Sequence, residues 1–420
     1  MNPKLKIDFD TEVDLDSRGF PSVFILNLAY TGLGIARSFA ETGIKVFGIG
    51  SKRWACGNYS RYVNFFHSPD SQAEPERLSQ FLIALAQRET QKPVIFPTRD
   101  HDILFLNRYR EKLEPYFIIA LPEKNTLNTV MDKWKLFEAA KRCNVTTPKT
   151  YVIGREDELG SISSQIDYPV IIKPLRAADW RKDRIWKIVK RKAIYCPSEK
   201  TLWREYNRFK HINPTVLLQE YIEGADDDIY TFCSYCDRHS HVLVSFNTRK
   251  RIQRPERFGT GIVVQSAVNN EITECSKRLL KFIGFTGTSE IEYKRDPATG
   301  IYYLIEINPR FWDQHRLSGS FGINLPLVAY SDLTGKGRPP SSSSKYQPAT
   351  WIAEDGFIKH FTSELFTRRK KPGDILHKLG GNINYAVWDR KDPLPFLISL
   401  ALMITDMSKQ VTQRISSWVE

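Results

Sequence analysis

The sequence predicts a mixed α/β (α+β) chain made of consecutive domains, and three features carry that reading. A strand, a glycine turn, a helix and a second strand follow one another near the start. An apolar strand further on ends in Lys173, and two later strands enclose the strong turn Asp296-Pro-Ala-Thr-Gly300. A length of 420 residues suits two or three domains better than one.

Residues 1–20 read as a polar tail without a signal peptide. Residues 23–28 form an apolar strand, followed by Thr31-Gly-Leu-Gly34 and a helix to about residue 42; 45–49 and 93–96 are further short strands. The glycine pair lacks the full GxGxxG pattern, and no acid ends the second strand, so a tight turn is expected there rather than a dinucleotide site. A helix is expected from 133 to 143, a strand over 168–174, a basic run over 176–192, a helix over 199–209 and strands over 215–222 and 229–236. The last strands of this series span 288–295 and 301–307. Ser341–Ser344 marks a linker to an extension, in which the apolar stretch 392–405 is too short to span a bilayer and reads as a helix packed on the core.

A hydrophobic content of 41% supports packed cores, and a formal net charge of +13 favours anionic partners. The basic residues concentrate in 176–192 and 249–257, which points to local phosphate handling. No helix-turn-helix, zinc-finger or RNA-binding aromatic pattern is present, so nucleic acid is not expected as a partner. Six cysteines show no disulfide spacing; Cys233 and Cys236 fall on opposite faces of one strand and read as structural. With no run of about 20 apolar residues, no transmembrane segment is expected, and the chain reads as cytoplasmic.

The chemistry concentrates in the last two strands. Alternate residues of a strand share a face, so Glu306, Asn308 and Arg310 project together, as do Glu290 and Glu292, with Ile305 and Ile307 facing a core. A five-residue connection, 296–300, makes opposing positions sum to an even number and brings Glu292, Glu306 and Asn308 together, barring a bulge. Two carboxylates and an amide oxygen suit magnesium. Alone, the pair reads equally well as an ordinary hairpin with one wet face. Lys173 at a strand end, Arg249, Lys250 and Arg251 as cationic donors, and a Gly259-Thr-Gly261 loop shift the balance towards phosphate chemistry.

Lys133, Val170-Ile-Ile-Lys-Pro174, Leu218-Gln-Glu-Tyr-Ile-Glu-Gly224, Glu290-Ile-Glu292 and Glu306-Ile-Asn-Pro-Arg310 follow one another in an order that resembles the ATP-grasp superfamily, and most of all its bacterial carboxylate–amine ligases. The resemblance implies a Rossmann-like pre-ATP-grasp domain over 21–130, a two-lobed ATP-grasp domain over 131–335 with a lid lobe at about 148–218, and a linker and extension over 336–420. It implies that Lys133 and Lys173 contact ATP phosphates and that Glu220, Tyr221 and Ile222 form the segment that meets adenine. Asp228 would contact ribose, with Asp226 and Asp227 as alternatives. Glu292, Glu306 and Asn308 would hold magnesium, two ions being expected and manganese an alternative. Arg310 would face the transferred phosphoryl group, with Lys173 and Arg249 as further catalytic cations. One departure stands out: the segment after Lys173 carries no glycine where relatives have a glycine- and serine-rich phosphate loop.

The implied activity is activation of a carboxylate by ATP and its ligation to an amine through an acyl phosphate, with small anionic substrates and a homo-oligomer allowed. An ATP-grasp carboxylase, a ligase with a non-amine acceptor and a non-catalytic nucleotide-binding regulator are the alternatives.

Overall fold

The computed structural model describes residues 19–180, 183–336, 346–367 and 371–405. Most of the expected N-terminal tail and the serine linker 341–344 lie outside the described residues. Three sheets organise the rest.

The first sheet is parallel and consists of β1 (Val23–Leu26), β2 (Val46–Gly50), β3 (Asn64–His67), β4 (Val94–Pro97) and β5 (Ile118–Ile119), ordered β3-β2-β1-β4-β5. β1 and β4 are buried along their whole length, as parallel strands covered on both faces must be. The chain leaves β1 for β2 on one side and reaches β4 on the other. The crevice beyond the carboxyl ends of β1 and β4 is therefore a topological switch point, where open α/β sheets bind ligands. The glycines after β1 serve close packing: a Cβ on Gly32 would stand 2.2 Å from the Asn27 carbonyl oxygen, and one on Gly34 2.6 Å from the His315 ring. The tight turn expected from the sequence is present.

β6 (Thr150–Ile153), β7 (Val170–Lys173), β8 (Ile194–Cys196) and β9 (Val216–Glu220) make an antiparallel sheet ordered β6-β9-β7-β8. This lobe has its own apolar core. The basic run after β7 folds into helices Ala177–Trp180 and Asp183–Val189. Trp180, Ile185 and Val189 sink into the lobe core, so the run is rooted rather than an unanchored loop.

The third sheet holds β10 (Ile229–Cys236), β11 (Val242–Arg254), β12 (Thr260–Ala267), β13 (Gly287–Arg295), β14 (Tyr302–Asn308), β15 (Ala349–Ile352) and β16 (Asn382–Tyr385), ordered β14-β13-β10-β11-β12-β15-β16. Its inner face shares one core with the first domain, where Leu106, Phe117 and Val130 pack with Phe232 and Ile291. Cys233 and Cys236 face different cores, and all six thiols are free.

The C-terminal region is woven into the body through β15, which pairs with β12, and through Asp392. The Asp392 carboxylate accepts from Arg37 Nε at 3.1 Å, Ser60 Oγ at 2.7 Å and the Arg61 amide at 3.0 Å. Residues 394–405 are helical as expected, and Phe396 packs against the core, but Leu394, Leu397, Leu402 and Ile404 face outward. No helix among the described residues is long and apolar enough to cross a membrane.

Candidate active site

A cavity of about 1000 Å³ lies where the three sheets meet. Its floor is the β13–β14 pair, in which Glu290 opposes Asn308 and Glu292 opposes Glu306. The expected even sum holds at these positions, but two residues away from the expected register and by an unexpected route. β14 starts at Tyr302 rather than 301, so near the turn Arg295 faces Tyr302 and the sums are odd. A bulge then leaves Ile305 unpaired and restores the even sum. In consequence Ile305 lines the cavity, contrary to expectation, while Ile307 belongs to the core and also borders the cavity.

The carboxylates are held by lysines from outside the hairpin. Lys250 Nζ donates to Glu292 Oε2 at 2.6 Å, and Lys133 Nζ to Glu306 Oε2 at 3.1 Å. Lys133 reaches it because Asp132 caps its helix, accepting from the Lys135 amide. Asn308 Nδ2 donates to Glu290 Oε2 at 3.1 Å, which turns its amide oxygen elsewhere. Burial, then the adjacent Glu292, lifts the Glu290 carboxyl to about 7 against the pull of Lys250 and Arg310. Burial would also lift Glu306, but the charges of Lys133, Lys192 and Lys173 carry it well below the usual carboxylate range. Lys173, only 8% exposed, donates to Gln219 Oε1 at 3.0 Å. Burial and then Lys133 push its ammonium down to about 8.

The first domain closes one end of the cavity. Asp100 begins the helix after β4, at the switch point, and its Oδ1 accepts from Arg310 Nε at 2.8 Å. Thr31, just past β1, donates from Oγ1 to Asp313 Oδ1 at 2.6 Å. Trp312 is buried in the same wall, and its indole N–H has no partner among the described residues.

At the other end Glu220, Tyr221 and Ile222 line the cavity. Glu220 Oε2 accepts from the Lys149 amide at 3.0 Å. The Tyr221 and Tyr195 rings meet edge to face at 4.9 Å, and the Arg257 guanidinium lies 4.2 Å from the Tyr195 centroid.

Two expected site residues fall elsewhere. Arg249 points away from the cavity, donating to the Asp227 carbonyl and lying over the Tyr230 ring; its neighbour Lys250 faces in, because successive strand residues alternate. Asp228 folds back on its own turn to accept from the Ala225 amide at 3.0 Å, whereas Asp226 lines the cavity. The arrangement brings together Lys133, Lys173, Glu220, Tyr221, Ile222, Glu292, Glu306, Asn308 and Arg310. Sequence reasoning missed Asp100, which carries no local motif, and passed over Glu290, although its place two residues before Glu292 put it on the same face.

Among the described residues no three His, Cys, Asp or Glu side chains form a metal cage by themselves. The donor set still fits magnesium, which binds through one or two carboxylates and completes its shell with water and substrate phosphates. Glu292, Glu306 and Asn308 would hold it, with Glu290 beside them.

Three sheets around a cation-rich cavity with a Glu–Glu–Asn floor have the arrangement of the ATP-grasp ligases and carboxylases, which this chain resembles. Residues 132–331 match the family model described as the ATP-binding domain of the carbamoyl-phosphate synthase L chain. The chain is 23% identical over 311 residues to D-aspartate ligase of Enterococcus faecium, covering 71% of this chain and 73% of the relative. The biotin carboxylase of Campylobacter jejuni, solved as an ATP complex, superposes with a TM-score of 0.62 at 19% identity over 78% of this chain and 73% of its own. The biotin carboxylase domain of the Hydrogenobacter thermophilus 2-oxoglutarate carboxylase, solved with magnesium ADP and bicarbonate, gives 0.59 at 20% identity over 76% and 70%. The fold class and family expected from the motifs are borne out.

Proposed function

We propose that the protein is an ATP-dependent carboxylate–amine ligase that forms an amide bond and releases ADP and phosphate. The observation that carries the reading is the placing of Arg310, paired with Asp100, directly beyond the Glu292–Glu306–Asn308 floor and within the same cavity as Lys133 and Lys173. The choice of an amine as acceptor rests on the likeness to D-aspartate ligase, which extends over 311 residues.

In this reading Lys133 and Lys173 bind the ATP phosphates, and Tyr221 and Ile222 border the base. A carboxylate oxygen of the substrate attacks the γ-phosphorus, the bond to the β–γ bridging oxygen breaks, and ADP leaves. Arg310 steadies the transferring group, and the Trp312 N–H is available to a carboxylate or carbonyl oxygen. The amine nitrogen then attacks the acyl carbon, and phosphate departs as the C–O bond breaks. Magnesium held by Glu292, Glu306 and Asn308 would supply charge neutralisation on the phosphates. No protein nucleophile is required, since positioning and charge compensation lower the barrier.

Oxygen-18 in the substrate carboxylate tests the route. The label is expected in inorganic phosphate, and its appearance in AMP overturns the mechanism. The second reading, a carboxylase, is favoured by the biotin carboxylase neighbours. ADP release that needs bicarbonate and no amine would establish it instead.

A further inference from the structure

The connection from β7 to β8 runs from Pro174 to Ala193 and contains no glycine. Its helices are tied down by Trp180, Ile185 and Val189, so its backbone is not free to wrap a ligand as a glycine loop does. The cations that reach the cavity from the two ends of the connection are Arg176 at one and Arg191 and Lys192 at the other. Arg176 already faces an acid, with Nε 3.6 Å from Asp132 Oδ2.

Lys192 is differently placed. β7 and β8 pair antiparallel with Ile172 opposite Ile194, so Lys173 leaves the hairpin at the end where Lys192 enters it. Lys133, Lys173 and Lys192 line the same cavity as Glu306. These three cations outnumber the one carboxylate they border, with Lys192 at the exposed rim of the cavity. A polyanion offsets that excess; a single carboxylate does not.

We propose that Lys192 is a third phosphate-binding lysine, which takes in this chain the part played by a glycine-rich loop, and that its ligand is the terminal phosphates of a nucleoside triphosphate. The assignment rests on the ATP reading above. It makes the lid contact a side-chain point charge, carried on a rooted helical connection, in place of a row of backbone N–H groups.

Calorimetric titration of the full chain with ATP, ADP, AMP and adenosine, for wild type, Lys192→Gln and Lys192→Arg, tests it. Loss of one charge-assisted contact should weaken ATP and ADP binding about tenfold in Lys192→Gln and leave AMP and adenosine within about twofold. Lys192→Arg, which keeps the charge, should retain most of the ATP affinity. Lys192→Gln binding ATP as wild type does, or losing all four ligands alike, overturns the assignment. A folded wild type that binds none of the four overturns the nucleotide reading and this proposal with it.

Discussion

Replacing Asp100 by Asn probes the contact by which the first domain acts on the site. The Arg310 Nε–Asp100 Oδ1 bond is 2.8 Å long, between side chains 17% and 15% exposed. At that burial screening is weak, and a hydrogen bond to a charged group is worth about 1.5–3 kcal/mol. The amide keeps the shape and one acceptor but removes the charge that orients the guanidinium. If the full contribution is expressed when charge develops on the transferring phosphoryl group, kcat/KM falls roughly 10- to 150-fold at about 1.36 kcal/mol per decade. Steady-state ADP release, measured with a responsive carboxylate and amine, reads the effect, and circular dichroism checks the fold. Most of the loss should lie in kcat, because the contact orients Arg310 and does not itself hold ATP. A fold-intact Asp100→Asn variant within threefold of wild type would refute the positioning role.

The remaining predictions concern pH and stability. With Lys173 held near 8, its charged form prevails below that pH, so kcat/KM for ATP should fall as pH rises through about 8. Lys173→Arg should remove that limb, and a flat wild-type profile from about 7 to 9 would contradict the assignment. Arg37 and Asp392 are each 2% exposed, so Asp392→Ala strands a buried guanidinium and should cost about 3–5 kcal/mol in urea denaturation. A cost under about 1 kcal/mol would show that the pair does not staple the C-terminal segment to the first domain.

The hairpin that carries the acids was legible because its evidence is local: alternation on a strand and a proline–glycine turn. The register shows how such reasoning reaches its limit. The start of β14 was misplaced by one residue and the bulge at Ile305 was invisible, yet together they shift the register by two residues, which leaves Glu306 on the expected face. Arg249, Lys250 and Arg251 are consecutive on one strand, and only the neighbouring strands decide which of them faces in. β11 departs from regular register next to Lys250, so no count along the sequence would have fixed its phase. Asp226 and Asp228 differ by the path of a three-residue turn. Asp100 was beyond reach for another reason: its partner lies 210 positions away in another domain, and nothing local marks it. The exposed apolar positions of helix 394–405 carry the same lesson, since a sequence shows that a face is apolar but not what lies against it.

The pairing of β15 with β12 has a consequence for how the chain comes into being. Val263 and Val264 of β12 meet Ile352 and Trp351, residues that leave the ribosome long after the floor of the cavity has been made. Until they arrive, β12 is an open border with unspent N–H and C=O groups, of the kind that recruits strands from other molecules. Lys378, which lines the cavity, arrives later still. A nascent chain that has reached residue 335 therefore holds nearly every group needed to touch nucleotide, but on a sheet with an unguarded margin. Synthesis of β15, more than that of the acids and lysines themselves, is what covers the border of β12.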